Sequence, residues 1–204
     1  MLRMNFFIAT VRSQYEYMLH SEKLGRNINT IFDIALPVGG VAATPFIGIL
    51  LDNLSTANLL ACLVALITVI GVLGSLPFFW AGILNVVLFC LLRPLYYSAM
   101  SDYAAKVFGF ATFGRVYGTI ICFSGLVNLG QPAIDAMTHE LFHNNPIPVN
   151  ALLAGLAFVF GLVLVVFVYV QGRRVQQEQE KEEMEAERTR LDFIEESESE
   201  YGTF

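Results

Sequence analysis

Two short stretches carry residue types able to do chemistry. The first is Arg93, which closes a run of forty residues, Asn53 to Leu92, without a charged side chain. At a helical rise of about 1.5 Å per residue, such a run suffices for two crossings of a hydrocarbon core about 30 Å thick. The guanidinium is therefore expected inside the bilayer, roughly 20 Å in from Trp80, with Tyr96 and Tyr97 on its own face at i+3 and i+4. A charge at that depth is costly and must face protein or a water-filled cavity. It would hold a substrate carboxylate or pair with an acidic gate residue; the other reading is a structural ion pair or hydrogen bonds to helix ends.

The second stretch is His139-Glu140-Leu141-Phe142-His143, a literal HExxH. On a helix the two histidines would share a face and could hold zinc, with Glu140 as general base. Yet Asn144, Asn145 and Pro146 follow at once, no later histidine supplies a third ligand, and Asp135 one turn upstream is the nearest substitute. The match is read as fortuitous. No metal, no cofactor and no enzyme activity are expected, and a membrane metalloprotease is the minor alternative.

Other polar residues fall within apolar surroundings. Asn128 and Gln131 lie in the uncharged run between Arg115 and Asp135, at a depth where an amide can bind substrate or a neighbouring helix. Asp33 precedes Asp52 by nineteen residues, which puts it near the outer surface, where a helix-start role is favoured over proton coupling. Glu16, between Tyr15 and Tyr17, is read the same way. Arg115 follows Gly109 and Gly114, in a turn where it would serve as a positive-inside residue or latch a cytosolic gate with Asp52 or Asp102.

These residues need membrane helices to position them. The chain is 55% hydrophobic, and its net charge of -6 belongs to its end: residues 1–171 hold seven basic and seven acidic side chains, residues 172–204 five and eleven. No basic patch exists to neutralise phosphates, which argues against a nucleic-acid partner. Cys62, Cys90 and Cys122 fall in different apolar runs without CxxC spacing, so no disulfide framework is expected. The start of the chain lacks the apolar core and cleavage site of a secretory signal and reads as the beginning of a helix cut from something longer.

Six helices are expected: 1–20, 28–51, 59–76, 79–105, 113–136 and 151–170. SEKLGR and HELFHNNPIPVN are read as polar loops, and an acidic tail begins helical and ends disordered. The tail's Ser197, Ser199 and Tyr201 are candidate phosphorylation sites, with a plain solvated helix the favoured reading. Lys106, Arg115, Arg173 and Arg174 orient the turn between the fourth and fifth helices, and the tail, to the cytosol. Helices one, two, four and five carry Glu16, Asp33, Arg93 and Asn128 and should line a cavity. Three and six should be peripheral, with Ala154, Ala157 and Gly161 on a face fit to meet a neighbouring helix.

The pattern resembles the C-terminal half of a major facilitator superfamily transporter. The resemblance covers nearly all of residues 1–172, and GILLDN, residues 48–53, is similar to the first part of that superfamily's loop signature. LRMNFFIATVRSQYEYML and FGFATFGRVYG resemble the large neutral amino acid transporter branch, solute carrier family 43, and its fungal relatives. The resemblance implies an all-α membrane protein: residues 1–171 form six transmembrane helices, one half of a major facilitator fold, followed by an acidic cytosolic tail over residues 172–204. It implies transport of a small solute by alternating access, with large neutral amino acids as the solute class. The substrate pathway would draw on Arg93, Tyr97, Asn128, Gln131, Tyr15, Glu16 and Asp33, and the cytosolic gate on Asp52, Asp102 and Arg115. The partners implied are a small-molecule solute, the lipid bilayer and an N-terminal six-helix half missing from this chain. The alternative is a membrane-embedded interaction partner or half-subunit without transport activity of its own. The location expected is integral and multi-pass, in the plasma membrane or a vacuolar or other endomembrane.

Overall fold

Ser21 shows how the helices are placed. Its side chain accepts from the Leu24 N–H at 3.4 Å, Glu22 follows at the positive end of the helix dipole, and Glu22 pairs with Arg26 one turn on at 2.6 Å. A cap and an i,i+4 pair make helix out of SEKLGR, so that stretch is the first turn of a helix rather than a loop. The computed structural model describes the backbone of residues 1–201 and the side chains of residues 1–190. Six helices result: α1 (Leu2–Leu19), α2 (Glu22–Asn53), α3 (Thr56–Leu73), α4 (Phe79–Asn128), α5 (Gln131–Glu140) and α6 (Ile147–Tyr201). No strand occurs among the described residues.

Among the described residues, four stretches are long and apolar enough to cross a membrane: Glu22–Asn53, Thr56–Leu73, Phe79–Glu140 and Ile147–Arg190. Six were expected, and the difference has two causes. α1 is 18 residues long but carries Arg3, Arg12 and Glu16, which keep its mean hydropathy below that of a span. Residues 79–140 form one 62-residue stretch, in which the expected glycine turn shrinks to a single residue, Gly109, at φ 71° and ψ 161°. Only glycine adopts that backbone freely. A second break at Leu129 and Gly130 precedes Pro132, whose missing N–H cannot bond the Asn128 carbonyl. α2 stays helical through Pro37 and Pro45. α6 continues without a break past residue 171; the expected disordered end and the phosphorylation candidates fall on residues whose side chains lie outside those described.

Helix contacts rest on small residues. The backbone of α2 meets α1 at Gly25, where an added Cβ would lie 2.8 Å from the Glu16 nitrogen. Gly39 brings α2 onto Cys90 of α4, with 3.0 Å between such a Cβ and that of Cys90. Pro94 leaves the carbonyl of that same Cys90 without its helical N–H partner. Phe7, Phe32 and Phe89 meet where α1, α2 and α4 join, with ring centroids 4.7 to 6.0 Å apart. On the other side α3 lies against α6: Gly71 faces Ala154, Gly161 faces Val64, and Ala157 borders an internal cavity. This is the face anticipated for α6, and Val163 on the far side is 63% exposed. In lipid, such close approach supplies the dispersion that holds helices together.

Candidate functional site

The polar residues divide between the interior of the bundle and its open face. Inside, α1 turns Arg3, Gln14 and Tyr15 toward α3, α4 and α6. Asn150, at the start of α6, donates to Gln14 Oε1 at 2.8 Å and to the Gly74 carbonyl at 3.4 Å, while Gln14 donates to Thr10 Oγ1 at 2.7 Å. Asn85 of α4 donates to the Tyr15 hydroxyl at 2.9 Å. Both members of that pair are enclosed, Tyr15 at 0% and Asn85 at 1% exposure, and Asn85 Oδ1 has no donor. Toward the start of α1, the half-buried Arg3 donates from Nη1 to the Ile67 carbonyl of α3 at 2.8 Å. Arg3, Asn85, Asn150 and Tyr96 border one cavity of about 70 Å³ whose other walls are largely apolar.

On the open face, the break between α4 and α5 brings Asn128, Gln131 and Asp135 together opposite Ala9 and Thr10 of α1, around a space of about 490 Å³. Asn128 Oδ1 is buried without a hydrogen-bond partner. A membrane helix interrupted here leaves backbone groups at the break without helical partners, the Asn128 carbonyl among them.

The remaining anticipated residues are scattered. Arg93 is half-buried and makes no ion pair or side-chain hydrogen bond among the described residues. Tyr97 stacks edge-on against Tyr96, centroids 5.6 Å apart. Tyr15 sits in the core rather than on a cavity wall open to solvent. Glu16 takes Arg12 at 2.7 Å, and Arg12 reaches Glu22 at 3.6 Å. Asp33 lies well inside α2 and not at its start; exposed there, it accepts from Asn29 at 2.9 Å. At the other end, Asp102 takes Lys106 at 2.7 Å, not Arg115, because the two share a helix face one turn apart. Lys106 also approaches the Leu51 carbonyl at 3.5 Å, tying α4 to the end of α2. Asp52 and Arg115 are exposed and in no ion pair among the described residues.

The HExxH stretch does not form a ligand pair on one helix. α5 ends at Glu140, His143 has left-handed φ of 50°, and Asn144 follows at 65°, so the two histidines do not share a helical face. His139 instead lies 3.7 Å from Asp135 and bonds Asn144. No group of three potential metal ligands occurs among the described residues.

Arg3, Asn85 and Asn150 were not singled out from the sequence. Arg3 lacks the long charge-free flank that draws attention to Arg93, and a neutral amide inside an apolar run raises no alarm. The signal available was the pairing of Asn85 with equally unexplained polar residues of α1, but which of these meet is decided by packing.

No protein-family model matches the chain, and no solved structure matches it significantly. Over 166 residues, 80% of this chain, it is 48% identical to Protein FMP42 of Saccharomyces cerevisiae. The chain is thus a membrane-helical homologue of that yeast protein and spans about a third of its length, the match covering 33% of it.

Proposed function

We propose that this chain is a six-helix half of a small-solute facilitator, working by alternating access against a second six-helix bundle, with large neutral amino acids as the solute class. One observation carries the reading: the interrupted helix at the α4–α5 junction presents Asn128, Gln131 and Asp135 to α1 across an open space. Discontinuous membrane helices of this kind build transporter sites, because their ends supply dipoles and free backbone groups without further unfolding. The 62-residue stretch that holds the break is long enough for two crossings. The first passes Arg93 and the second meets the break. α3 and α6 lean on each other and turn Phe160, Val163 and Phe167 outward, which suits the peripheral pair. The greater length of the yeast relative leaves room for a second bundle, and the motifs resembling solute carrier family 43 favour the solute class. The reading requires no cofactor, metal, nucleic acid or enzymatic step.

A second reading has its own support. α2 turns Ile34, Val38, Val41, Phe46 and Ile49 outward, a row that would equally serve a half-subunit docking to a partner without transporting. Uptake separates the two. Full-length protein in sealed vesicles is offered a panel of large neutral amino acids, with surface amount measured for each variant. Arg93→Ala should slow uptake by about tenfold or more, and Arg93→Lys should restore it only in part, since an ammonium lacks the planar fork that grips a carboxylate. Asn128→Ala should raise the half-saturating concentration, and Val163→Ala should leave uptake unchanged. Wild-type vesicles that take up no member of the panel, while the protein co-purifies with a companion chain, would replace the transport reading with the docking one.

A further inference from the structure

We propose that the largely apolar cavity between α1, α3, α4 and α6 is a binding site for a small monovalent inorganic anion of chloride's size, held by Arg3 and bridged to Asn85 by water. The site lies inside the bundle, apart from the open face at the α4–α5 junction, and does not depend on what the protein transports.

Three observations converge. First, Arg3 has five N–H donors; one bonds the Ile67 carbonyl at 2.8 Å, and no acidic side chain pairs with it among the described residues. Its neighbours in the cavity include Met4, Phe7, Ile70 and Phe89. Arg3 is half-buried, and a guanidinium walled on one side by apolar groups is stabilised by a counter-charge. Second, Asn85 reaches the same cavity at 1% exposure with its Oδ1 unpartnered. That oxygen is an acceptor and would repel an anion placed directly against it. A water resolves the conflict by giving one hydrogen to Asn85 Oδ1 and the other to the anion, while the anion accepts from Arg3.

Third, the size fits. A water needs roughly 10–15 Å³ of such volume, and the cavity offers about 70 Å³. That admits a halide with one or two waters.

The test uses full-length protein in detergent, with sodium gluconate as the starting salt. The unfolding temperature is followed as chloride, bromide, nitrate or sulfate replaces gluconate at constant ionic strength. Chloride, bromide and nitrate should raise it along a saturating curve, and sulfate, too large and doubly charged, should not. Arg3→Gln should abolish the saturable rise, whereas Arg12→Gln, at an exposed arginine already paired with Glu16, should keep it. If Arg3→Gln fails to fold, bromide-soaked crystals of the wild type decide the matter through an anomalous peak beside the Arg3 guanidinium. An unfolding temperature indifferent to the anion, a chloride response that survives Arg3→Gln, or a bromide soak that shows water alone at Arg3 would each overturn the proposal.

Discussion

Adding one methyl group to Gly82 should destabilise the bundle, although alanine is the better helix former. A Cβ there would stand 2.8 Å from Ile28 Cδ1, 2.9 Å from Tyr15 Cε1 and 3.3 Å from Tyr15 Cδ1. Carbon atoms prefer about 3.5–4.0 Å, so the neighbours must retreat by up to roughly 1 Å. Neither is free to do so. Ile28 and Tyr15 are both 0% exposed, and the Tyr15 hydroxyl is tied to Asn85. Glycine to alanine within a helix gains about 1 kcal/mol, while overpacking a closed site costs about 1–3 kcal/mol. The expected net loss for Gly82→Ala is therefore up to about 2 kcal/mol. Gly48, which has nothing within 4 Å of its added Cβ, should show the opposite sign under the same substitution. The assay is equilibrium unfolding by a denaturing detergent in mixed micelles. Ile28→Val, which removes Cδ1, should recover part of the loss in the double mutant. Stability of Gly82→Ala equal to or above wild type, or no recovery with Ile28→Val, would refute this account of how α1, α2 and α4 meet.

At Gly109, alanine should cost about 1–3 kcal/mol because φ of 71° with ψ of 161° is open to little besides glycine; unfolding of Gly109→Ala beside Gly114→Ala, which has open space and ordinary φ, provides the comparison. Gln14→Leu and Asn150→Leu should each destabilise, since each strands a buried amide, whereas the double substitution should cost less than their sum. A coupling near zero in that cycle would contradict the bond linking α1 to α6. A cysteine placed near Gly109 and a tag after Phe204 should both be reached by membrane-impermeant reagents from the cytosolic side, and protection of either one would reverse the orientation.

Much of the helical layout was legible because hydropathy and proline mark it. α3 was found within a few residues, and the α6 face of Ala154, Ala157 and Gly161 could be read from spacing alone. The start of α2 was not, since the apolar run begins at Ile28 while the helix begins with Glu22, held by a serine cap and a charge pair that carry no hydropathy. The turn near Gly109 was anticipated as a loop of several residues; one residue with left-handed φ accomplishes the break. Of the site residues, Asn128 and Gln131 border one space, because a proline four residues after Asn128 forces the break that gathers them. Arg3 and Asn85 stayed hidden for another reason. Tyr15 and Asn85 are bonded across 70 positions of sequence, and only the packing of α1 on α4 sets which polar groups meet.

The Pro94 feature bears on how the bundle can move. Because Cys90 already lacks its backbone partner, α4 can bend between residues 90 and 94 without breaking a hydrogen bond, so flexural compliance is concentrated at that depth. The neighbour on that side is Gly39, which has no side chain to act as a stop. A bend at this crease would therefore carry the part of α4 around Lys106 and the end of α2, which Lys106 meets at the Leu51 carbonyl, together as one lever.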